Sequence, residues 1–271
     1  MDSLLCRIIV WQKGSNRSQA QVNRPMPRTH KTLPRLYVET PLSDGAEIAL
    51  DKDQTNHLVN VLRRAPGDNC VVFNGQDGAF LAEIVQVAKK LVSLHLIERA
   101  SAQTPANDLW FGFAPIKRLD YEIQKATEMG AGIIQPVITR YVQNARLNPD
   151  KLRSHAIEAA QQCEVLSVPD VAPEIGFDKL LTGWHGNHGD RALIFCDEAA
   201  ASASPVETLT GLKGKRLGLL IGPEGGFSEE ERERLLGLDF VVPISLGPRI
   251  LRADTAAVAA LALIQAVAGD W

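Results

Sequence analysis

Two apolar runs in the C-terminal third of the chain, Leu217–Ile221 and Phe240–Leu246, each pass directly into a loop rich in glycine and proline that opens a helix. The loops read Ile221-Gly-Pro-Glu-Gly-Gly-Phe227 and Leu246-Gly-Pro-Arg-Ile-Leu-Arg252. Continuous apolar runs of this length suit strands buried on both faces, as in a parallel sheet covered by helices. Glycine lets the backbone approach a ligand closely, while each proline fixes φ, so the loops are shaped rather than floppy. Either loop alone reads as an ordinary strand–helix turn. Two of them, at strand ends where open α/β sheets bind ligands, predict a built site.

The rest of the chain falls into place around that pair. From Leu109 onward strands and helices alternate: strands at Leu109–Ala114, Ile133–Ile138 and Ala192–Cys196, helices at Leu119–Met129, Pro149–Cys163 and Ala253–Ala268. Ser228 with Glu231 three residues on forms a capping box for a further helix at Ser228–Leu236. This rhythm predicts an α/β domain over 109–271. Between Leu36 and Ala100 the pattern is instead short strands, at Leu36–Val38, Glu47–Leu50, Cys70–Phe73, Phe80–Val87 and Leu91–Ile97, separated by turn residues. One helix, Asp53–Leu62, interrupts them, with Leu58, Val61 and Leu62 expected on one face. Residues 35–100 therefore read as a small β-barrel, and the polar stretch 101–108 as a linker.

Charge is distributed unevenly along the chain. The overall formal charge is −3, yet residues 1–35 carry seven Lys or Arg against Asp2 alone. Residues 1–34 read as a basic arm of a kind found in nucleic-acid binders, as an organelle transit peptide, or as a plain disordered extension. The four cysteines lie far apart, which argues against a disulfide framework or a zinc site and fits a reducing cytoplasm. No apolar run is long enough to span a membrane. The segment Gly183-Trp-His-Gly-Asn-His-Gly189 lacks convergent partners for its two histidines and reads as a surface loop. There is neither a phosphate-binding Gly-x-x-x-x-Gly-Lys loop nor a Gly-x-Gly-x-x-Gly turn. The last helix is apolar on nearly every face, which predicts cover by its own domain and by a second copy of the chain.

The two loops, extended to Ile221–Glu231 and Leu246–Ala257, resemble the signature segments of the RsmE family, the 16S ribosomal RNA (uracil-N3)-methyltransferases of the SPOUT superfamily. Lys117, Gln124–Gly130, Arg140, Glu158–Cys163, His57–Arg63 and Gly67-Asp68 match as well, so the likeness runs from about Arg35 to Ala268. The chain departs from the family pattern at Arg252-Ala-Asp-Thr255, where Arg-Thr-Glu-Thr is usual, and at Gln161, where Glu is common. It also carries only Gln143-Asn-Ala-Arg146 in place of an Arg-Ser-rich loop.

The resemblance implies a PUA-like barrel followed by a trefoil-knotted domain that binds S-adenosyl-L-methionine. It places the cofactor among Cys196 and Asp197, Ile221, Gly222, Pro223, Glu224, Gly225 and Gly226, and Leu246, Gly247, Arg249, Ile250 and Leu251. The implied substrate is 16S rRNA in the small ribosomal subunit, met by a homodimer that needs no metal. Arg35, Arg63, Arg64, Lys117, Arg118 and Arg140 are the candidates for holding RNA. Uracil N3 must lose its proton before it can attack a methyl group, and the resulting charge spreads onto O2 and O4. A guanidinium fork suits those oxygens, which points to Arg252. Asp254 is open to three roles: accepting the proton, orienting Arg252, or capping the last helix. The competing readings are a knotted methyltransferase acting on ribose 2′-O or on transfer RNA, and a non-catalytic RNA-binding assembly factor.

Overall fold

Two sheets organise the protein in a computed structural model that describes residues 30, 32–88, 91–142, 147–198, 200 and 204–271. The arm, apart from its last few residues, and the segment 143–146 lie outside the described residues.

The first sheet contains β1 (Arg35–Tyr37), β2 (Glu47–Ala49), β3 (Asn69–Phe73), β4 (Ala79–Ala88) and β5 (Leu91–Ser101) in the order β1-β3-β4-β5-β2. β1 runs parallel to β3, and the other pairs are antiparallel. Alternate residues Ile84, Val92, Leu94 and Leu96 point into a core closed by Leu58. The helix between β2 and β3 is α1 (Lys52–Asn56), opened by an Asp51–Gln54 capping box. It continues as a π turn over His57–Val61, closed by Leu62 N–H donating to the His57 carbonyl. The wider π turn rotates the positions that follow it. Of the three expected residues only Leu58 therefore faces the core, while Val61 is 60% exposed and Leu62 also faces solvent, contrary to the single apolar face expected from the sequence.

The second sheet contains β6 (Trp110–Phe113), β7 (Ile133–Ile138), β8 (Asp170–Val171), β9 (Ile175–Gly176), β10 (Ala192–Cys196), β11 (Leu217–Ile221) and β12 (Val241–Ile244). All of its pairs are parallel, in the order β12-β10-β11-β6-β7, with β8 and β9 both on the far side of β7. Helices α2 (Leu119–Glu128), α3 (Pro149–Gln162), α6 (Pro205–Thr210) and α8 (Ala253–Ala268) cover one face around Phe111, Phe113, Ile123 and Leu261. Helices α4 (Phe177–Thr182), α5 (Trp184–His188) and α7 (Glu229–Leu236) accompany the core on the other, around Trp110, Trp184 and Phe195.

The histidine-bearing segment 183–189 is thus a short helix, not a surface loop. Trp184 is fully buried and donates from its indole to the Arg191 carbonyl, and this anchor decides the local structure. The short elements β8, β9, α4 and α6 also escape the periodicity, because two to six residues carry too little pattern to be read.

The two sheets meet at α3. Gln161 Oε1 accepts from the Tyr37 backbone N–H at 2.9 Å, and Arg153 donates to the Tyr37 hydroxyl at 3.2 Å. Around this contact Val71, Phe73, Ala160 and Leu166 share one cluster. Gln161 therefore ties the first sheet to the second. Among the described residues no helix is long and apolar enough to cross a membrane, and no group of side chains has the arrangement of a metal site.

Candidate functional site

The C-terminal ends of β10, β11 and β12 converge on a cavity of about 630 Å³, within the range of small-molecule sites. Every one of the thirteen residues from Cys196 to Leu251 proposed from the sequence as cofactor contacts lines it, together with Arg252, Ala253 and Ala256. Parallel pairing brings them together: Phe195 lies beside Leu220 and Pro243, so the loops leaving the three strands begin at one level.

The first Gly-Pro loop is braced from behind. A side chain at Gly222 would put its Cβ 2.8 Å from the Phe227 ring. That ring is itself held edge-on to Phe195, with centroids 5.3 Å apart, and tilted against Phe177. Gly226 N–H closes a turn onto the Pro223 carbonyl at 2.9 Å, with Gly226 at φ +71°. The second loop is open: Gly247 through Ile250 all face solvent, and Ile250 is 86% exposed. Gly247, at φ +106°, holds a conformation that other residues avoid.

Charged groups around the cavity are sorted by their partners. Asp197 is buried and receives both arms of the Arg232 guanidinium at 3.0 Å each, so its carboxylate faces α7. Cys196 is pushed by burial up to about 12, so it stays a neutral thiol. At the mouth, Asp254 accepts from Arg118 and from Arg252, each at 3.2 Å. The carboxylate is only 6% exposed, whereas Arg118 and Arg252 are 54% and 72% exposed.

Asp254 is not the N-cap residue of the last helix. The last helix begins at Ala253 with Arg252 in the cap position, so Asp254 lies within the first turn, where a negative charge meets the positive end of the helix. Two hydrogen bonds bear on its role: Oδ2 accepts from Arg252 at 3.2 Å, and Oδ1 accepts from the first-turn Thr255 N–H at 2.8 Å.

The RNA candidates are dispersed. Arg118 and Lys117 are exposed at the start of α2, near the mouth, and the Arg118 guanidinium lies 4.7 Å over the Tyr121 ring. Arg140 is tied to α7, donating to Glu230 from its side chain and to Glu231 from its backbone. On the first sheet Arg63 is exposed at φ +54°, and Arg64 is half-buried. Arg35 is also half-buried, with its guanidinium 5.2 Å over the Phe73 ring. None of the six lines the cavity itself.

Sequence reasoning missed Glu122. This carboxyl is 2% exposed on the α2 face that also buries Ile123, Ala126 and Thr127. Burial pushes it well above 4.5, and the nearby charges of Glu224 and Asp254 push the same way. The available signal was an acid falling on the apolar stripe of a helix.

Comparison with known proteins agrees with this geometry. Residues 103–265 match the RNA methyltransferase domain family, and residues 50–97 match the RNA methyltransferase PUA domain. Ribosomal RNA small subunit methyltransferase E of Rickettsia conorii is 32% identical over 235 residues, 85% of this chain and 94% of the relative.

The chain belongs to the ribosomal RNA small subunit methyltransferase E family.

The Bacillus subtilis member of this methyltransferase E family is 30% identical over 239 residues, covering 82% of this chain and 91% of the relative. A solved Neisseria gonorrhoeae member, bound to S-adenosyl methionine, superposes with a TM-score of 0.76 at 26% identity, covering 88% of this chain and 99% of that one. A Legionella pneumophila methyltransferase in complex with the same cofactor gives 0.74 at 27% identity, with 86% and 97% covered.

Proposed function

We propose that this methyltransferase E family member transfers a methyl group from S-adenosyl-L-methionine to N3 of a uridine in the 16S rRNA of the small ribosomal subunit. The observation that carries the reading is the meeting of two glycine-proline loops at one cavity whose rim holds the exposed, carboxylate-anchored guanidinium of Arg252.

The residues present fit the cofactor. Gly222, Gly225, Gly226 and Gly247 leave backbone groups open to a ligand, and Leu246, Ile250, Leu251 and Ala256 supply apolar surface for a purine. When bound, the cofactor supplies an activated sulfonium methyl group. The protein has to hold the uridine in line and stabilise the anion left when N3 gives up its proton. Arg252, exposed at the rim, would face the uracil oxygens on which that charge accumulates, and Asp254 bonds to its guanidinium from the buried side. Alignment of the two reactants supplies roughly 7–11 kcal/mol of such a reaction's barrier. N3 is hidden in a base pair, so the target base enters unstacked.

The same reading assigns a basic arm at 1–34, a PUA-like barrel at 35–100 that holds RNA, a linker at 101–108, and a SPOUT methyltransferase domain at 109–271. A trefoil knot in that domain is part of the same reading, and it would lie where β10, β11 and β12 end around the cavity. The homodimer is supported by α8, whose Val258, Ala259, Ala262 and Leu263 remain partly uncovered. Arg35, Arg63, Arg64, Lys117, Arg118 and Arg140 are the proposed RNA contacts. This is work for the cytoplasm, where small subunits are met.

Mass spectrometry of 16S rRNA from cells with and without the gene tests the activity, with loss of one N3-methyluridine expected. Gly222→Val should weaken cofactor affinity at least tenfold by calorimetry, because the new side chain collides with a Phe227 ring that cannot retreat. Unchanged affinity would place the cofactor elsewhere.

A further inference from the structure

Arg118, Tyr121 and Lys125 follow one another at helical spacing, so they share one face of α2 that starts beside the cavity mouth. The Arg118 guanidinium carbon lies 4.7 Å from the centre of the half-buried Tyr121 ring, and Lys125 Nζ lies 5.6 Å from the same centre. The two cations differ in what is left of them. Lys125 is closed off by Glu128, whose two oxygens accept from its ammonium at 2.8 and 2.6 Å. Arg118 donates to Asp254 and to no other group among the described residues, and 54% of its side chain stays in solvent.

Arg118 is thereby held as a fixed, flat group. Asp254 grips its edge and the Tyr121 ring lies against it, so little ordering is left for the moment of binding. The Asp254 oxygen that accepts from Arg118 also accepts from Arg252, which places this flat group next to the guanidinium at the cavity rim. A uridine drawn out of its stack to bare N3 leaves its neighbour in the strand with an uncovered face. Guanidinium planes and aromatic rings are the surfaces on which unstacked RNA bases come to rest.

We propose that Arg118, backed by Tyr121, is the shelf on which the base adjoining the target uridine stacks, a positioning role that rests on the methyl-transfer reading above. The shelf holds the strand one nucleotide from the reacting base, and the shared Asp254 fixes where it stands relative to Arg252. Its ligand is an unpaired nucleobase met by its flat face, so the identity of that base matters little. A phosphate would need only the charge of Arg118, whereas a base needs its plane.

The test is a cycle between protein and RNA. Small ribosomal subunits are reconstituted with 16S rRNA lacking the base, but keeping the sugar and phosphate, on the 5′ or the 3′ side of the target uridine. For the wild type, kcat/KM should fall about tenfold on one of the two abasic subunits, within the range of a single base stack. Arg118→Ala should lose about as much on intact subunits and nothing further on the abasic ones, because the stack is already gone. Arg118→Lys keeps the charge without the plane and should behave like the alanine variant, while Tyr121→Phe should behave like the wild type. Cofactor affinity should be unchanged throughout, since neither residue lines the cavity. Wild-type indifference to both abasic subunits, full activity of Arg118→Lys, or losses that multiply in Arg118→Ala each overturn the proposal. If Arg118→Ala does not fold, Arg118→Lys carries the same comparison. A wild type that methylates no small subunits at all would instead sink the methyl-transfer reading.

Discussion

Each end of the second sheet holds one aspartate gripped by two arginines, and the two clusters have different fates. At the N-terminal end, Arg191 is fully buried and donates to the Asp108 carbonyl, to the Asp108 carboxylate at 2.8 Å and to the Leu217 carbonyl at 2.8 Å. Arg216 adds a bond of 2.6 Å to the same carboxylate. Here the arginine is inside and spends its donors on backbone at the entrances of β6 and β11. At the C-terminal end the arrangement is inverted: Asp254 is buried, and its two arginines keep most of their surface in solvent beside the cavity. Identical residue types thus fasten strands at one edge and leave charge exposed beside the cavity at the other. The fold explains the division, since ligands of parallel sheets gather at strand C-terminal ends.

The comparison breaks first at Arg252. Arg252→Ala should cut the methylation rate about 10²–10³-fold, the usual cost of losing one donor to a developing anion. Cofactor affinity and thermal midpoint should barely move. Near-normal turnover on small subunits would erase the functional half of the contrast.

The opposite signature belongs to Arg191. Arg191→Met should destabilise the protein by about 3 kcal/mol in urea unfolding, the low end for breaking a buried pair, because the half-exposed Asp108 can regain water. Cofactor affinity should be unchanged in the folded protein. A variant that is stable but cannot bind would show that the two ends are coupled.

Asp254→Asn sharpens the contrast further. Its amide still accepts one hydrogen bond but leaves the guanidiniums without a charged anchor, so turnover should drop about tenfold, close to one charge-assisted bond. A fall as large as that of Arg252→Ala, with loss of the acid limb of the pH–rate profile, would make Asp254 the proton acceptor rather than an anchor for Arg252.

The smallest effect concerns acid. Hydrogen bonds from Arg216 and Arg191 hold the Asp108 carboxyl down to about 2 from an ordinary 3.8. A depressed carboxylate stabilises the fold above 3.8 and loses that contribution as the pH falls toward 2. The stability gap between wild type and Asp108→Asn should therefore be full at pH 6 and shrink below pH 4, read from urea midpoints at each pH. A gap independent of pH would mean that the clamp works through packing rather than charge.

Much of the architecture was legible because long elements repeat their pattern. The boundaries of β7, β10, β11 and α8 fall where the apolar runs predict them, and the Ser228–Glu231 capping box forms with both of its bonds. The gathering of the two Gly-Pro loops at one cavity was also readable, from their place after buried strands. Val61 and Leu62 misled, because a π turn changes the angular step that helical spacing assumes. The segment 183–189 misled, because one buried tryptophan outweighs the polar residues around it. Gln161 departs from the family pattern, and only the fold shows that its amide joins the two sheets.

What the sequence determined by itself is the set of local commitments: which runs are strands, where helices are capped, and which loops must bend close to a ligand. These depend on residues within a few positions of one another, so the linear text contains them. Only the tertiary structure decided which carboxylate is satisfied and which is not. Asp254 meets Arg118 across 136 positions of sequence, and Glu122 is stranded between a loop and a helix more than a hundred residues away. The charge state and freedom of a buried acid are set by every group packed around it, and no spacing along the chain records that neighbourhood.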